Sequence, residues 1–241
     1  MSEPIDAQTV ASLRESGPAL KLAVNSTRTV HVAQTEQRVR PLLRQVPITR
    51  VSDLAPLDPL GFPVCMVTTP LARDLTTHAG KGLDAQSARV SAIMEAIERV
   101  SAEAVAGARS GSFLGLQAQL PVVDPVAFDL PSDTSYRPDE ATSWVEGFDL
   151  LAERPAWLAV DLVVSPPSAG ILREVDTNGL ASGNTLLEAT VHALCEVIER
   201  DALSRPRRMR SKGADAREPG AAPRVATSCR HRLSAARTTA A

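Results

Sequence analysis

The strongest constraint on the fold of this chain is an internal repeat of one helical segment. Residues 82–99 and 183–200 align without gaps at a constant offset of 101 residues, and both copies end in the pattern Glu-x-Ile-Glu-Arg. Apolar residues at helical spacing predict one helix over residues 84–104 and another over residues 184–203. Two copies are too few for a solenoid, so the repeat indicates two related helices that could face each other.

Each predicted helix has a polar face and an apolar face. In the first helix, the polar side chains follow the i, i+4, i+7 spacing of one face: Ser91, Glu95 and Glu98. In the second helix, the polar side chains are Glu188, His192, Glu196 and Glu199. The apolar stripes consist of Val90, Met94 (or Ile93), Ile97 and Val100 in the first helix, and of Val191, Leu194 and Ile198 in the second.

Carboxylates on both helices favour a bound cation, because like charges at i and i+3 do not stabilise a helix by themselves. Mg²⁺ typically takes one or two carboxylates and completes its coordination with water and phosphate oxygens. A single copy of the pattern would indicate a solvated face with Glu95–Arg99 or Glu196–Arg200 pairs, but two copies in register favour the metal site. The chain contains no Walker phosphate loop, no His-Glu-x-x-His motif and no Glu-x-x-His on either helix.

Short segments rich in β-branched residues surround the two helices. They predict strands over residues 47–51, 63–67, 144–148 and 157–164, and helical spacing predicts a further helix over residues 35–43. Helices and strands mixed in this order indicate an α+β fold, in which the two acidic helices lie against a mixed sheet.

Charge divides the chain into segments. Residues 1–203 carry 16 basic and 26 acidic side chains, whereas residues 204–241 carry 10 basic and 2 acidic side chains. We expect a poorly ordered segment over residues 1–24, a domain over residues 25–203 and a basic low-complexity tail over residues 204–241. The composition of this tail favours disorder over nucleic-acid binding, because it has too few apolar residues to offset the entropy of ordering.

The remaining composition excludes several classes of protein. The three cysteines are dispersed and form no Cys-x-x-Cys pair, so neither a disulfide framework nor a cysteine-based zinc site is indicated. The N-terminus lacks the apolar segment of a signal peptide, and no apolar run is long enough to span a bilayer. We therefore expect a cytoplasmic protein without a membrane or nucleic-acid partner.

These motifs resemble those of the YcaO family, especially its TfuA-associated branch. The resemblance covers about residues 25–203. It rests on Gly80-Lys81-Gly82 with Ser91-x3-Glu95-x2-Glu98-Arg99, on residues 178–184 with Glu188 and Glu196-x2-Glu199-Arg200-Asp201, and on the segments 48–51, 57–64 and 144–147. The resemblance implies ATP bound with Mg²⁺ and no phosphate loop, and an enzyme that phosphorylates peptide backbone amides on the way to azolines or thioamides.

The resemblance also implies roles for individual residues. The Mg²⁺ ligands would be Glu95, Glu98, Glu196 and Glu199. The residues that contact the nucleotide or position the metal ligands would be Ser91, Asn184, Glu188 and Arg200. Two further residues, Lys81 and Arg99, would lie near the phosphates or be structural. A peptide or protein is the implied substrate, a TfuA-like or E1-like protein is the implied partner, and a homodimer is left open.

Two features depart from the family pattern. Residues 24–28 replace a Lys-Gly-Thr-His-Arg sequence, so a Lys and a His are absent there. The resemblance also ends at Leu203, where family members continue, so we expect a truncated or frameshifted chain with impaired activity. The alternative functions are a non-catalytic fragment that binds a leader peptide or partner protein, and a helical carboxylate metal-binding protein.

Overall fold

The computed structural model describes residues 28–128, 130–172 and 177–212, with side chains as far as Ser204. The helices and strands are, in chain order, α1 (Val32–Val39), β1 (Arg50–Asp53), β2 (Val64–Thr68), β3 (Thr77–Lys81), α2 (Ala85–Ser101), β4 (Arg109–Ser112), α3 (Phe113–Leu116), β5 (Ala141–Asp149), β6 (Arg154–Ala159) and α4 (Leu186–Lys212). Single 3₁₀ segments lie at Arg40–Arg44, Ala55–Leu57, Pro125–Phe128 and Val160–Leu162. The predicted α+β class is confirmed. Residues 1–24 lie outside the described residues.

The strands form two separate three-stranded sheets. The first has the order β1-β2-β3 and the second the order β4-β5-β6, and all neighbouring strands in both are antiparallel. The expected mixed sheet is limited, within the described residues, to one isolated parallel bridge between Val122 and Trp157. Antiparallel pairing suits the short connection between β5 and β6, which comprises residues 150–153.

Helix α2 packs against one face of the first sheet and forms the main core with it. Cys65 and Val67 of β2 are buried against Ile93 and Ile97 of α2. The alanines of α2 at positions 88, 92 and 96 are also buried, so the helix lies close to the strands. The apolar stripe predicted for this helix is confirmed, with Met94 and Val100 packed at its border.

The second sheet has its own small core around Trp144, Ala159 and Ile171. The predicted strand over residues 157–164 ends at Ala159, because the chain then turns through Val160–Leu162. The carboxylate of the buried Asp161 accepts three backbone N–H groups, those of residues 168, 169 and 171, at 2.7, 2.7 and 2.8 Å. These hydrogen bonds fix the chain in a tight turn, which a continuous strand could not form.

Other predicted elements differ in their bounds or were missed. The helix predicted over residues 35–43 begins at Val32 and becomes a 3₁₀ segment at Arg40, where Pro41 cannot donate a backbone hydrogen bond. The strand predicted over residues 47–51 is Arg50–Asp53, because the preceding residues form a turn. Strands β3 and β4 were not predicted, since their sequences are polar and contain glycine. Pairing with β2 and β5 stabilises them instead.

Helix α4 corrects one expectation. It continues to Lys212, so the predicted end of this helix at Leu203 is wrong. Arg, Met and Lys are good helix formers, and extending an existing helix is easier than starting a new one. The remaining residues of the expected tail, 213–241, lie outside the described residues.

The buried face of α4 also differs from the predicted apolar stripe. Small residues, Ala189, Ala193 and Val197, are buried, whereas Val191 and Ile198 are 38% and 65% exposed. The reason is that the preceding loop packs close to this helix, which only small side chains permit. Among the described residues, no helix has the length and apolar character needed to cross a membrane.

Candidate functional site

The internal repeat is visible as two equivalent helix starts. The carboxylate of Asp84 accepts the backbone N–H of Ser87 at 2.8 Å, and the hydroxyl of Thr185 accepts that of Glu188 at 3.1 Å. Both pairs are N-cap contacts, which satisfy backbone donors in the first turn of a helix. Asp84 and Thr185 are 101 residues apart, and so are Ser87 and Glu188. The repeat in the sequence is therefore also a repeat in the structure.

A glycine precedes each of these helix starts and allows close packing. A Cβ on Gly82 would lie 2.4 Å from the Cβ of Ser87, and a Cβ on Gly183 would lie 2.6 Å from the backbone N of Ala189. Each glycine therefore brings the preceding chain directly onto the first turn of the helix. This approach places the chain before α4 next to α2, where the acidic side chains lie.

The negative charges of Glu95 and Glu196 act on Glu98 at this point, and we call these three residues the carboxylate cluster. The hydroxyl of Ser182 donates to Glu98 Oε2 at 3.0 Å, and the backbone N–H of Gly179 donates to Glu196 Oε2 at 3.1 Å. The loop before α4 thus holds one carboxylate from each copy of the repeat. These two contacts join α2 and α4 into one site.

The electrostatics of the carboxylate cluster favour a cation. The pKa of Glu98 is raised from 4.5 to about 7, chiefly by burial and also by the negative charges of Glu196 and Glu95, against the hydrogen bonds from Ser182. Burial also raises the pKa of Glu95, although Arg99, the Ala79 backbone and Lys81 oppose this effect. Like charges held together away from water are costly, and a divalent cation would remove the cost.

Four other residues predicted for this site are exposed, and two of them form its margin, Lys81 and Arg200. Lys81 at the end of β3 is exposed, and its charge acts on Glu95. Arg200 is exposed and lies 3.6 Å from Glu196, one helical turn away. Ser91 and Glu199 are exposed on α2 and α4. Two cations beside the carboxylates give the margin mixed charge, as a site for a metal–phosphate group requires.

A second polar cluster surrounds the buried Glu188, and we call Arg28, Thr29, Asn184 and Glu188 the Glu188 cluster. Glu188 accepts hydrogen bonds from Arg28 at 2.8 Å, from the hydroxyl of Thr29 at 3.0 Å and from Asn184 at 3.1 Å. These partners hold the pKa of Glu188 below its usual value despite burial. Asn184 also accepts the hydroxyl of Thr35 at 2.9 Å. The cluster fastens residues 28–35 to the start of α4.

Arg99 occupies a third environment. Its guanidinium lies 3.6 Å from the carboxylate of Asp74, and the two side chains are only 14% and 9% exposed. The structure therefore buries Arg99 in the last turn of α2, whereas Arg200 is exposed on α4. Sequence reasoning left Arg99 open between a phosphate contact and a structural role.

Among the described residues, no group of three or more His, Cys, Asp or Glu side chains is placed so that it could hold a metal ion by itself. Mg²⁺ needs fewer protein ligands than that, because it completes its shell with water and phosphate oxygens. The donor set of the carboxylate cluster, hard oxygens with a raised carboxyl pKa, also fits that ion. The residues present are thus suited to a magnesium–nucleotide complex.

Sequence reasoning missed several residues of the site. Ser182 lies within a motif that was recognised, but a serine in a loop gives no signal of its own. The backbone N–H of Gly179 has no side-chain signal at all. Asp74 lies in the β2–β3 loop, and only the folded chain brings it to Arg99. Each of these groups acts on an acidic or basic residue that the repeat had already identified.

A family model matches most of this chain. The family model described as YcaO cyclodehydratase, ATP- and Mg²⁺-binding, matches residues 79–239. The matched range begins in β3 and continues past Leu203, into the segment that we expected to lie outside the domain. Most of the chain, including both copies of the repeat, lies within it.

Two uncharacterised proteins are similar in sequence. One, encoded in the tfuA 3′ region of Rhizobium leguminosarum bv. trifolii, is 36% identical over 203 residues, which are 78% of this chain and 47% of that protein. Another, from Methanothermobacter thermautotrophicus, is 35% identical over 168 residues, 67% of this chain and 43% of that protein. The chain spans less than half the length of these relatives.

Two solved structures are similar in fold. YcaO from Methanopyrus kandleri, bound with AMPPCP and Mg²⁺, is 29% identical with a TM-score of 0.59, over 73% of this chain and 45% of that one. A heterocyclase in complex with substrate and cofactor has the same TM-score over 80% of this chain and 32% of that one, but its 19% identity supports only the fold. The family's cofactors are ATP and Mg²⁺. The chain belongs to the YcaO family.

Proposed function

We propose that this chain binds ATP with Mg²⁺ at the carboxylate cluster and takes part in the ATP-dependent activation of peptide backbone amides. The observation that carries the proposal is that one loop, the one before α4, hydrogen-bonds to both Glu98 and Glu196. One acid from each copy of the repeat is held by the loop before α4, and burial together with the charges of Glu196 and Glu95 raises the pKa of Glu98 to about 7. A protein keeps such like charges together at a cost in stability, which a bound cation offsets.

We assign roles by the position of each side chain. The Mg²⁺ ligands in this proposal are Glu95, Glu98 and Glu196, with the exposed Glu199 at the rim. The phosphate contacts are the two exposed cations, Lys81 and Arg200, and Ser91 lies one turn before Glu95 on the same face. When bound, Mg²⁺ supplies the positive charge that phosphoryl transfer requires.

The Glu188 cluster lies at the start of α4, and we propose that it forms the nucleoside end of the site. Glu188 accepts hydrogen bonds from Arg28 and Thr29, and Asn184 accepts one from Thr35. In this proposal, residues 28–35 therefore form a wall of the nucleotide site, and Glu188 holds the wall in place. Arg28 is half exposed, so its charge also reaches the surface.

The proposed reaction transfers the γ-phosphoryl group of ATP to the oxygen of a substrate peptide amide. A nucleophile then adds to the activated carbon, and phosphate leaves. A Cys, Ser or Thr side chain of the substrate would give an azoline, and a sulfide source would give a thioamide. The similarity to a protein encoded beside tfuA supports a TfuA-like partner. An E1-like partner, a homodimer and a cytoplasmic location stay predictions.

A non-catalytic function is the second candidate. The observation that favours it is the outer face of α4, where Val191 and Ile198 are exposed. Under this alternative, the chain would bind a leader peptide or a partner protein without using nucleotide. The two candidates differ in one measurable property, which is whether ATP binds with Mg²⁺.

The test is a calorimetric titration of the purified 241-residue chain with ATP, in Mg²⁺ and again in EDTA. We expect binding that requires Mg²⁺. Each of the substitutions Glu95→Gln, Glu98→Gln and Glu196→Gln should weaken it by at least about 10-fold, since each removes a charge from a metal ligand. Glu146→Gln is the matched control, because Glu146 is exposed on β5 and lies outside the carboxylate cluster.

The outcome decides between the candidates. Equal ATP affinity in the parent chain and in all three variants would exclude the carboxylate cluster as the metal site. Binding of a peptide or partner protein by a chain that takes up no ATP would favour the non-catalytic function. Mg²⁺ binding without any effect of ATP would instead indicate a simple metal-binding protein.

A further inference from the structure

Arg99 and Arg200 hold equivalent positions in the two copies of the repeat, yet their environments differ. The side chain of Arg200 is 58% exposed, whereas that of Arg99 is 14% exposed and lies against Asp74. We propose that Arg99 is a positioning residue: Asp74 and the β2–β3 loop hold its guanidinium, which in turn supports Glu95, and it does not contact the nucleotide. This inference rests on the proposed function of the site.

The first observation is that two of the three guanidinium nitrogens of Arg99 are inaccessible. Its Nε and Nη1 atoms are buried and have no hydrogen-bond partner within the described residues. A phosphate group could reach these atoms only by displacing protein, so direct nucleotide contact through them is disfavoured. The guanidinium therefore acts on its neighbours by charge, which is weakly screened at such low exposure.

The second observation is that Asp74 is fixed from two directions. Its Oδ2 atom accepts the hydroxyl of Ser165 at 2.9 Å and lies 3.6 Å from Arg99. The backbone N–H of Ser165 donates to the carbonyl of Ala102, just after α2, at 2.9 Å. Asp74 thus connects the C-terminal end of α2 with the segment that follows the second sheet, and it holds the arginine at this junction.

The third observation is that the rest of the β2–β3 loop is fastened to the same end of α2. The backbone N–H of Arg73 donates to the carboxylate of Glu103 at 2.6 Å, and its guanidinium donates to the Glu103 carbonyl at 3.0 Å. The loop is also closed at its base, where Thr69 N–H donates to the carbonyl of Thr76 at 2.8 Å. Asp74 is therefore a rigid anchor for Arg99.

The fourth observation connects this anchor to the site. Glu95 lies one helical turn before Arg99 on α2, at the i, i+4 spacing that brings side chains together. Because Asp74 restrains the guanidinium, the positive charge of Arg99 stays beside Glu95. Loss of Asp74 would therefore disturb the site without removing any group from it.

The experiment compares Asp74→Asn, Arg99→Met and the double variant, with Arg200→Met as the matched arginine control. Hydrogen exchange of the backbone amides at residues 69–76 is measured in the ligand-free chain, and ATP affinity is measured in Mg²⁺. We expect both single variants to speed loop exchange by about 10-fold, and the double variant to add little, because the two residues act as a unit. Arg200→Met should leave loop exchange unchanged.

In the binding arm, Asp74→Asn and Arg99→Met should weaken ATP binding by similar factors. Arg99→Lys, which keeps the charge, should recover most of the affinity and serves in place of Arg99→Met if that variant does not fold. The inference is overturned if Asp74→Asn changes neither loop exchange nor ATP affinity while Arg99 variants weaken binding, since Arg99 would then be a nucleotide ligand.

Failure of the proposed function gives a different result. A parent chain that binds no ATP in Mg²⁺ overturns the role of Arg99 at a nucleotide site together with that function. The loop-exchange arm uses no ligand, so it still shows whether Asp74 and Arg99 act as a pair. Unchanged loop exchange in both single variants would overturn the anchor itself.

Discussion

Ser182 donates its hydroxyl to the carboxylate of Glu98 at 3.0 Å, across 84 residues of the chain. This hydrogen bond brings the loop of the second repeat onto the helix of the first. It also explains why neither copy of the repeat is a site by itself. The acids of α2 gain a neighbour from α4 only where this loop is in place.

The stability of the metal-free chain should fall as the pH rises through the titration of Glu98. Its pKa is 4.5 unfolded and about 7 folded, so the folded state retains a proton that the unfolded state loses. The resulting loss of unfolding free energy begins near pH 4.5 and is complete above about pH 7, where it reaches roughly 3 kcal/mol. Glu98→Gln should therefore stabilise the chain in EDTA at pH 8 and have little effect at pH 4, as denaturant unfolding would show.

The control for that measurement is Glu146→Gln, since Glu146 is exposed on β5. We expect this variant to change the unfolding free energy by less than about 0.5 kcal/mol at both pH values. Equal effects of the Glu98 substitution at pH 4 and pH 8 would contradict the raised pKa.

Glu188 should show the opposite dependence on pH. Its pKa is lowered in the folded state, so its ion pair and hydrogen bonds stabilise the chain above about pH 4.5. This contribution is lost as the pH falls through the lowered folded value. Glu188→Gln should destabilise the chain by about 2 kcal/mol at pH 7, because Arg28 loses its partner, and by less at pH 3. A destabilisation that does not decrease at pH 3 would show that packing, and not charge, is responsible.

Gly183→Ala should destabilise the chain and weaken ATP binding together. The added Cβ would lie 2.6 Å from the backbone N of Ala189, so the loop that carries Ser182 must move off α4. We expect a loss of about 1–3 kcal/mol in unfolding experiments. Gly115→Ala is the control, because the nearest atom to its Cβ is the rotatable hydroxyl of Ser112 at 3.1 Å. Similar losses in the two variants would exclude close packing as the cause.

Asp161→Asn should be among the most destabilising conservative changes outside the site. Asp161 is 1% exposed, and its two oxygens accept three backbone N–H groups. An amide has one acceptor oxygen, so at least one buried donor would lose its partner, at about 2–4 kcal/mol. Thermal unfolding of this variant and of the exposed Asp139→Asn gives the test. A change as small as that of the control would show that the turn does not depend on the carboxylate.

The sequence predicted the class of fold and the helix α2 with its buried stripe, because these follow from local periodicity. It also identified the two copies of the repeat, whose capping contacts and glycines prove equivalent. It placed the buried stripe of α4 on the wrong residues, because hydrophobicity favoured Val191 and Ile198. The close approach of the preceding loop selects small side chains instead, and that approach is a tertiary feature.

The sequence by itself determined which residues carry charge at which helical positions, and therefore that acids repeat in register on two helices. Only the tertiary structure decided which partner each of these residues contacts. Glu98 accepts a hydrogen bond from Ser182, and Glu196 accepts one from Gly179 in the same loop. Glu188 forms an ion pair with Arg28, and Arg99 forms one with Asp74. Helical periodicity fixes neighbours within about two turns, whereas contacts between distant segments depend on loop conformation and burial. For that reason two arginines with the same sequence pattern have different environments in the folded chain.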